Sequence, residues 1–405
     1  MRARLRGWGQ MDGSRDIIVI GAGSAGIAAV EGAHDHDPSK SILLIDQDPH
    51  APYKRTKLSK HLAKGYPDTE FRLRDDTWYR EMNTELVTGT PAARIDREAK
   101  QVELSDGRTV SYGALVLAPG SEPIYPRIVR PHEAGSFFVL RSMDDAQRLM
   151  SALRRARTVL IDGMGVLALE LADQLVAMQK KPTLVGATPQ LMPRQLNARG
   201  AEMMEELLLR KRVKLLFQEE ILSFEPDAKR GFDVTLLTHS GVYDVVLLCI
   251  GVQPRTGLAA DAGLAVDRGI VVDDRLATSD PAIFCAGDAA QHPDGRVTHL
   301  WHAAEHQGRL AGANAAGGNE CMDGRRFRLK TSVFGSYVFS LGLPRDLSTY
   351  QIEENEVENR YQAFYFRGGR LDGAVMFNDE PRARQYEQAV NEGWDYDRVS
   401  RELHL

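Results

Sequence analysis

The sequence predicts an α/β protein with two Rossmann-like dinucleotide-binding folds and a small α+β domain at its C-terminus. Residues 16–21 form a short apolar strand that runs into a glycine turn, and a helical segment and a second apolar strand at 41–46 follow. The same order of strand, glycine loop, helix and strand recurs from Thr158 to Val185. Two copies of one βαβ unit indicate two nucleotide-binding sheets. Beyond Gly317-Gly318, short alternating stretches replace this pattern, as expected for a separate α+β domain.

The composition excludes several classes of protein. The chain has 405 residues, of which 43% are hydrophobic and 26% charged, as in ordinary globular proteins. Its 51 basic and 56 acidic side chains give a net charge of −5, which argues against nucleic-acid binding. No apolar run approaches the ~20 residues that a membrane-spanning helix needs. The N-terminal MRARLRGWGQ leads into no apolar stretch, so it does not resemble a secretory signal. The chain has only three cysteines, far apart, which indicates a reducing compartment, and we expect a cytoplasmic protein.

Further elements complete the predicted sheets. Central strands, each followed by a glycine-containing turn, are expected at 114–118, 243–250 and 282–285. A helix is expected at 301–316. In the C-terminal part we expect β structure at 331–341, 361–366 and 370–377, and a helix at 380–393.

The first glycine loop has the spacing of a dinucleotide-binding site. It consists of Gly21, Ala22, Gly23, Ser24, Ala25 and Gly26, and Asp46 ends the second strand with Gln47 beside it. The first glycine permits the tight turn, the second lets the backbone approach a diphosphate, and the third allows close packing of helix on strand. The helix N-terminus adds a positive dipole, and the carboxylate of Asp46 can accept both ribose hydroxyls. Strand, loop, helix, strand and acid in this order predict a bound dinucleotide.

Several motifs together resemble a known family. IVIGAGSAG, LVLAPGSEP at 115–123 and IFCAGDAA at 283–290 are similar to segments of the two-dinucleotide-fold flavoprotein reductases, the pyridine nucleotide-disulfide oxidoreductase superfamily. PYKRTKLSK at 52–60 and FGSYVFSLG at 334–342 resemble segments of ferredoxin and rubredoxin reductases and of the FAD part of assimilatory nitrite reductases. The resemblance implies an FAD-dependent oxidoreductase, with FAD in the first fold and NAD(P)H as its reductant.

The resemblance also implies roles for individual residues. The first loop and Asp46 match the site of the FAD diphosphate and adenosine ribose. Arg55 and Lys60 match basic residues beside FAD, where a cation suits phosphate or flavin. Gly287 and Asp288 match a pair whose Asp contacts the ribityl chain. Further cofactor-binding matches are the turn residues Ala118, Gly120 and Gly251, and Trp301 at the start of a helix whose N-terminus faces the flavin.

The second glycine loop fits its family pattern less completely. Gly163, Gly165 and Ala168 match the glycine positions, and Glu170 matches a glutamate near the nicotinamide. However, Asp162 stands at the end of the strand, where the family has an apolar residue, and Gly186 stands where NADH enzymes carry an acid. No Arg follows at once to favour a 2′-phosphate. A nicotinamide site that works through the loop and other contacts, and a weakened or lost site, therefore both remain open.

The cysteines exclude thiol chemistry. Disulfide reductases of this superfamily place a C-x4-C pair on the helix after the first acid, whereas residues 53–65 contain no cysteine. Cys249, Cys285 and Cys321 lie far apart and have no metal-ligand spacing, so neither a disulfide framework nor a metal site is expected. Electrons must then leave the flavin directly, to a protein carrier, a small molecule or oxygen.

These observations predict an FAD-dependent reductase that takes hydride from NAD(P)H and passes electrons singly to a small redox protein such as rubredoxin or ferredoxin. Hydride transfer to flavin needs no side-chain acid, base or nucleophile, so no catalytic residue is predicted. One alternative is an oxidase or dehydrogenase component with a degenerate nicotinamide site, and another is a non-catalytic FAD-binding subunit. A homo-oligomer is left open.

The predicted domains follow from the motif order. An FAD-binding domain is expected at 12–123 and 247–320, an NAD(P)-binding-like domain at 124–246 and a C-terminal interface domain at 321–405. Basic residues cluster at 54–64, 154–157 and 325–330. They form either solvated faces or a docking surface for an acidic redox protein, which would mainly speed encounter.

Overall fold

A computed structural model describes residues 13–126, 137–227 and 231–405 of the chain. The N-terminal segment 1–11, whose role the sequence leaves open, lies outside these residues. The elements up to residue 123 are β1 (Ser14–Ile20), α1 (Ser24–His36), β2 (Ile42–Asp46), α2 (Asp68–Phe71), α3 (Asp76–Glu81), β3 (Thr84–Thr88), β4 (Ala92–Asp96), β5 (Gln101–Leu104), β6 (Thr109–Leu117) and β7 (Ser121–Pro123).

The middle of the chain repeats the alternation of strand and helix and then adds a meander. Its elements are α4 (Met143–Leu153), β8 (Thr158–Asp162), α5 (Val166–Ala177), β9 (Lys181–Gly186), α6 (Ala198–Arg210), β10 (Lys214–Phe217), β11 (Ile221–Asp227), β12 (Gly231–Leu236), β13 (Ser240–Tyr243), β14 (Val245–Leu248) and β15 (Val252–Pro254). The segment after it contains α7 (Gly257–Asp261), β16 (Ile270–Val271), β17 (Ile283–Cys285), β18 (Ala290–Gln291) and α8 (Trp301–Ala315).

The C-terminal part is mainly antiparallel. Its elements are β19 (Leu329–Val333), β20 (Ser336–Leu341), β21 (Gln351–Val357), β22 (Arg360–Arg367), β23 (Arg370–Phe377), α9 (Ala383–Glu392) and α10 (Tyr396–Leu403). Among the residues that the structure describes, no helix combines the length and the apolar character needed to cross a bilayer.

The chain divides into two compact units. Unit 1 comprises the residues up to Lys57 together with Tyr66–Glu122 and Val252–Gly324, and unit 2 comprises Leu58–Gly65, Pro123–Gly251 and Arg325–Leu405. The C-terminal residues thus group with the second βαβ fold. The division into three domains stays a prediction.

Unit 1 is built on a seven-stranded sheet of order β3-β2-β1-β6-β5-β4, with β17 also paired to β6. The strands β3, β2, β1, β6 and β17 run parallel, and β1 is central because Ile17–Ile20 pairs with β2 on one side and β6 on the other. Ile17–Ile20 of β1 and Ile42–Ile45 of β2 are buried on both faces, as expected where helices cover a parallel sheet. Their carboxyl ends meet at one edge, where α1 and α8 begin.

Helices α1 and α8 pack with their backbones in close contact. An ideal Cβ on Gly308 or Gly312 of α8 would lie 2.2 Å from the carbonyl oxygen of Ala25 or 1.9 Å from that of Ala29. Only glycine fits at such distances, so the sequence of α8 fixes how closely it lies against α1. This contact sets the start of α8, at Trp301, relative to the first glycine loop.

Unit 2 contains a second parallel sheet of order β10-β9-β8-β14 and the antiparallel meander β11-β12-β13. The C-terminal strands form a five-stranded antiparallel sheet of order β19-β20-β23-β22-β21. Helices α9 and α10 share a core with that sheet, which includes Phe339, Phe364, Tyr386 and Val399. The predicted fold class, two Rossmann-like folds and a small α+β part, is confirmed.

Two predicted strands are interrupted in the structure. The stretch 331–341 forms a hairpin because Phe334 and Gly335 both have positive φ, 52° and 81°, as a two-residue turn requires. The stretch 243–250 is split at Asp244, whose carboxylate accepts the backbone N–H groups of Arg157 and Thr158 at 2.7 and 2.8 Å. The chain therefore leaves the antiparallel meander at β13 and enters the parallel sheet at β14.

Candidate functional site

The first glycine loop has a steric reason for each of its glycines. Gly21 has φ +102°, and an ideal Cβ on it would lie 2.0 Å from the Ala118 carbonyl oxygen. A Cβ on Gly26 would lie 1.8 Å from the Gly21 carbonyl oxygen. The turn therefore needs glycine at Gly21, and the close packing of α1 against the turn needs glycine at Gly26. Gly23, which caps α1, has no heavy atom within 4 Å of its ideal Cβ. This open face above a helix N-terminus suits a diphosphate.

Asp46 supplies the acid at the end of β2. Only 7% of it is exposed. Its Oδ2 accepts the Ala22 N–H at 2.9 Å and its Oδ1 accepts the Asp48 N–H at 3.0 Å. Burial raises the pKa of the Asp46 carboxyl, and the backbone N–H of Asp48 and the Arg55 guanidinium act in the opposite direction. The buried carboxylate is thus joined to the glycine loop, as a ribose-binding acid should be. Its neighbour Gln47 is exposed.

Arg55 lies near this acidic edge of unit 1. Its guanidinium is 3.5 Å from an Asp48 carboxylate oxygen and lies over the Tyr53 ring, with 5.3 Å to the ring centroid. Tyr53 itself donates to the same Asp48 oxygen at 2.8 Å. Arg55 is therefore held by Asp48 and Tyr53, two residues of the segment that follows Asp46.

The other predicted residues of unit 1 approach the loop from β6, β17 and α8. The Ala118 N–H donates to the Ile20 carbonyl at 2.7 Å, and the Gly120 carbonyl accepts the Arg255 N–H at 3.0 Å. Gly287, with φ +78°, has its ideal Cβ position 2.9 Å from the Ala25 Cβ. The loop Gly21–Gly26 and the turns after β6 and β17 therefore form one site.

Sequence reasoning missed two side chains that support this site. The Ser121 hydroxyl donates to Asp288 Oδ2 at 2.7 Å. The buried Gln307 on α8 accepts the Gly287 N–H at 2.8 Å. Both are neighbours of predicted motifs, but only the fold brings them to Asp288 and Gly287. They fix the direction of the Asp288 carboxylate and tie α8, which starts at Trp301, to the turn.

The residues of unit 1 fit FAD by their donor set. The loop offers backbone N–H groups around an open glycine for a diphosphate, Asp46 offers a buried acceptor for ribose hydroxyls, and Asp288 offers a second acceptor in the turn after β17. The N-terminus of α8 adds a positive dipole there, which would stabilise a negatively charged flavin ring.

The second glycine loop repeats the geometry of the first. Gly163 has φ +147°, and its ideal Cβ would lie 2.4 Å from the Cys249 carbonyl oxygen. Gly165, the cap of α5, has no heavy atom within 4 Å of its ideal Cβ. Ala168, in the third glycine position, is fully buried. Gly251, with φ +118°, accepts the Ile124 N–H at 3.0 Å in the turn that follows β14. The loop of unit 2 can therefore also receive a diphosphate.

Asp162 is the unusual residue beside this loop. It ends β8, is 8% exposed, and its carbonyl accepts the Cys249 N–H at 2.7 Å. Burial, with the nearby Glu220 carboxylate, raises the pKa of Asp162 to about 7. The Asp162 carboxyl is therefore mostly protonated below pH 7, and its ionisation at this apolar strand position lowers the stability of the folded protein.

Glu170 lies at the centre of a buried polar cluster in unit 2. The Ser59 hydroxyl donates to its Oε2 at 2.5 Å and the Thr331 hydroxyl to its Oε1 at 2.6 Å. The Lys60 ammonium is 3.4 Å from Oε1. Helix α5, the short turn at Ser59–His61 and strand β19 together position this carboxylate. The structure pairs Lys60 with Glu170, and sequence reasoning missed the hydroxyls of Ser59 and Thr331.

The cysteines have no redox partner among the described residues. Cys249, Cys285 and Cys321 are all free. Burial raises the pKa of the Cys249 and Cys285 thiols, which keeps them protonated and unreactive. Cys321 is exposed. In the described parts of the chain, no group of three or more His, Cys, Asp or Glu side chains could hold a metal ion.

We therefore expect the bound flavin to be reduced at the wild-type rate in each of three variants, Cys249→Ala, Cys285→Ala and Cys321→Ser. The measurement is the anaerobic rate of flavin reduction in each FAD-loaded variant. Loss of turnover in one folded, FAD-loaded variant would reveal a thiol that takes part in electron transfer. The exposed Cys321 variant is the internal control, because its side chain fills no core position.

Comparisons with known proteins agree with this geometry. The model of the pyridine nucleotide-disulphide oxidoreductase family matches residues 15–308. NADH-rubredoxin oxidoreductase of Clostridium acetobutylicum is 27% identical over 96% of this chain and 97% of its own length. Rubredoxin-NAD(+) reductase of Ectopseudomonas oleovorans is 30% identical over 68% of this chain and 71% of its own. The crystal structure of the covalent putidaredoxin reductase-putidaredoxin complex contains a chain with a TM-score of 0.86 and 25% identity, over 95% of this chain and 94% of that one.

Other relatives are longer than this chain. Human apoptosis-inducing factor 3 is 28% identical over 94% of this chain, which spans 64% of its length. The Bacillus subtilis nitrite reductase is 26% identical, and the chain spans 49% of it. Two open glycine loops, a buried acid at the end of β2 and a family match across both nucleotide folds lead to one conclusion: the chain belongs to the pyridine nucleotide-disulphide oxidoreductase family.

Proposed function

We propose that this protein is an FAD-dependent reductase that takes hydride from NAD(P)H and passes electrons singly to a small redox protein of the rubredoxin or ferredoxin type. The observation that carries the proposal is the pair of open glycine loops, one in each unit, in a chain without paired cysteines. Relatives named as rubredoxin and ferredoxin reductases support the choice of acceptor. Family membership makes FAD and NAD(P)H the cofactors.

The chain's own residues bind and orient rather than react. Bound FAD supplies the hydride-accepting and electron-donating chemistry. In unit 1, the loop Gly21–Gly26 and Asp46 hold the diphosphate and adenosine ribose, and Asp288 holds the ribityl chain. In unit 2, the loop Gly163–Ala168 holds the nicotinamide dinucleotide, and Glu170 orients its nicotinamide end.

Glu170 gives a testable positioning role to Thr331. A hydrogen bond to a carboxylate contributes about 1.5–3 kcal/mol, so Thr331→Val should let Glu170 turn toward Lys60 and slow flavin reduction by NADH about tenfold. The FAD content should not change, because the cofactor loop lies in unit 1. Thr331→Ser keeps the hydroxyl and is the matched control. Stopped-flow absorbance measures the rate, and equal rates for the Val and Ser variants would refute the role of this hydrogen bond.

The acceptor is tested by reoxidation of the reduced protein. We expect oxidised rubredoxin or a [2Fe–2S] ferredoxin to reoxidise it much faster than air-saturated buffer does. Fast reoxidation by oxygen alone, with no gain from either protein, would instead favour the oxidase reading, which Gly186 and Asp162 motivate. Bound FAD that neither NADH nor NADPH reduces would favour the non-catalytic FAD-binding subunit.

The basic clusters offer less docking charge than their sequence count suggests. Lys57 donates to the Glu70 carbonyl at 3.1 Å. Lys60 pairs with Glu170, and Arg326 lies 2.5 Å from the Asp372 carboxylate. Because Lys60 and Arg326 are each paired with a carboxylate, we expect acceptor turnover to fall only moderately between low and physiological salt. We further propose a cytoplasmic location, which the three free cysteines support.

A further inference from the structure

We propose that Met164 fills the adenosine-ribose position of the second glycine loop, where an acid would otherwise discriminate between the nucleotides, so that unit 2 binds NADH and NADPH with little discrimination. This inference rests on the proposed function, because it concerns the nucleotide that supplies the hydride. It goes further by naming the side chain that occupies the place of the discriminating acid.

The two glycine loops of the protein can be compared position by position. In unit 1, Ile20 pairs with Ile45 and the Gly21 N–H donates to the Ile45 carbonyl at 2.7 Å. In unit 2, Asp162 pairs with Val185 and the Gly163 N–H donates to the Val185 carbonyl, also at 2.7 Å.

The residues that follow these two strand pairs therefore occupy equivalent positions in the two units. Asp46 of unit 1 corresponds to Gly186 of unit 2, and Ala22 corresponds to Met164. The acid and the small residue of the first loop are replaced by a glycine and a long side chain in the second.

Met164 occupies the space that an acid at Gly186 would need. An ideal Cβ on Gly186 would lie 2.8 Å from Met164 Cγ and 3.8 Å from both Met164 Cβ and Met164 Cε. Met164 is only 5% exposed, so its side chain is packed over the end of β9. Its carbonyl also accepts the N–H of the fully buried Met192 at 2.8 Å, which holds the loop in place.

The neighbouring acid does not replace the missing one. The Glu219 N–H donates to the Gly186 carbonyl at 3.2 Å, so Glu219 is close to this position. Its carboxylate, however, accepts the Thr238 N–H at 3.1 Å and lies 2.6 Å from His239 Nδ1. The Glu219 carboxylate is thus already bonded to residues between β12 and β13.

The chemistry of this position decides which nucleotides it tolerates. A thioether neither accepts two ribose hydroxyls strongly nor repels a phosphate. The 2′-hydroxyl of NADH therefore gains no charge-assisted bond at Met164, and the 2′-phosphate of NADPH meets no carboxylate there. We infer that both nucleotides bind with similar, modest affinity through the loop itself.

The test recreates the arrangement of unit 1 in unit 2. Calorimetric titration of the FAD-loaded protein with NAD+ and with NADP+ measures binding without turnover. For the wild type we expect dissociation constants within about threefold of each other. For Met164→Ala/Gly186→Asp we expect NAD+ to bind about tenfold more tightly and NADP+ about tenfold more weakly, because a carboxylate would bond the ribose and repel the phosphate.

The single variants separate packing from recognition. Gly186→Asp alone forces the new side chain against Met164, so its melting temperature should fall more than that of the double variant. Met164→Ala alone should leave the two affinities similar.

A wild type with more than about 30-fold preference, or a double variant with an unchanged ratio, would overturn the role of Met164 while leaving the proposed function intact. If neither nucleotide binds the wild type or the double variant, the proposed function fails as well.

Discussion

Gly23→Val is expected to fold and to purify almost free of FAD. The Gly23 backbone has φ −72° and ψ −168°, which any residue can adopt, and its ideal Cβ meets no heavy atom within 4 Å. The valine side chain therefore costs the folded chain little, yet it fills the space that the diphosphate must enter. Losing two backbone hydrogen bonds to a charged diphosphate, each worth about 1.5–3 kcal/mol, should weaken FAD binding by about 100-fold or more.

The matched control is Gly165→Val in the second loop. Gly165 is equally open and also caps its helix, with φ −93°. We expect this variant to keep its FAD and to lose nicotinamide binding. The absorbance ratio of flavin to protein measures the FAD content of both variants, calorimetric titration with NAD+ measures nicotinamide binding, and circular dichroism verifies the fold. A folded Gly23→Val protein with full FAD occupancy would contradict the site in unit 1.

Asp162→Asn is expected to stabilise the protein above neutral pH. Burial, aided by Glu220, raises the pKa of the folded Asp162 carboxyl to about 7, whereas the ordinary value is 3.8. Between these two values the folded state holds a proton that the unfolded state has released, so stability falls as pH rises from about 4 to about 7. At 1.36 kcal/mol for each pKa unit, the cost above pH 7 is of the order of 4 kcal/mol. Asparagine has nearly the same shape and does not ionise.

Urea unfolding from pH 4 to pH 8 measures this effect. The gain of Asp162→Asn over the wild type should be small at pH 4 and should grow to a plateau above pH 7. Asp244→Asn is a control in the same unit, because the pKa of Asp244 is shifted in the opposite direction from that of Asp162. Although burial acts in the other direction, backbone N–H bonds from Thr158 and Arg157 lower the pKa of Asp244, so this change should destabilise the protein at pH 8. An Asp162→Asn gain that does not change with pH would contradict the assignment.

The local motifs of the protein could be predicted from the sequence because they depend on short-range geometry. Gly21, Gly26 and Gly163 are needed for steric reasons that act within a strand–turn–helix unit, and the acid Asp46 ends the adjacent strand. The apolar runs of β1, β2, β8 and β9 are typical of strands buried on both faces. The fold class and the family therefore follow from residues that lie close together in the chain.

The supporting contacts could not be predicted because they join distant segments. Ser59 and Thr331 reach Glu170 from segments that no periodicity connects. Gln307 is one polar residue on a helix, and its partners Gly287, His292 and Thr298 all lie outside that helix. Met164 was part of a recognised motif, but its packing over Gly186 depends on the path of the loop. Arg55 and Lys60 lie five positions apart, yet one pairs with Asp48 and the other with Glu170.

The central claim is that hydride from a nicotinamide nucleotide reduces FAD in this protein. The direct measurement is to mix the purified yellow protein anaerobically with NADH, and separately with NADPH, and to follow the visible flavin band in a stopped-flow instrument. We predict that both nucleotides bleach the flavin, at rates that differ by less than about tenfold at saturation, since no acid at Gly186 excludes the 2′-phosphate. Flavin that dithionite bleaches but neither nucleotide reduces would contradict the claim.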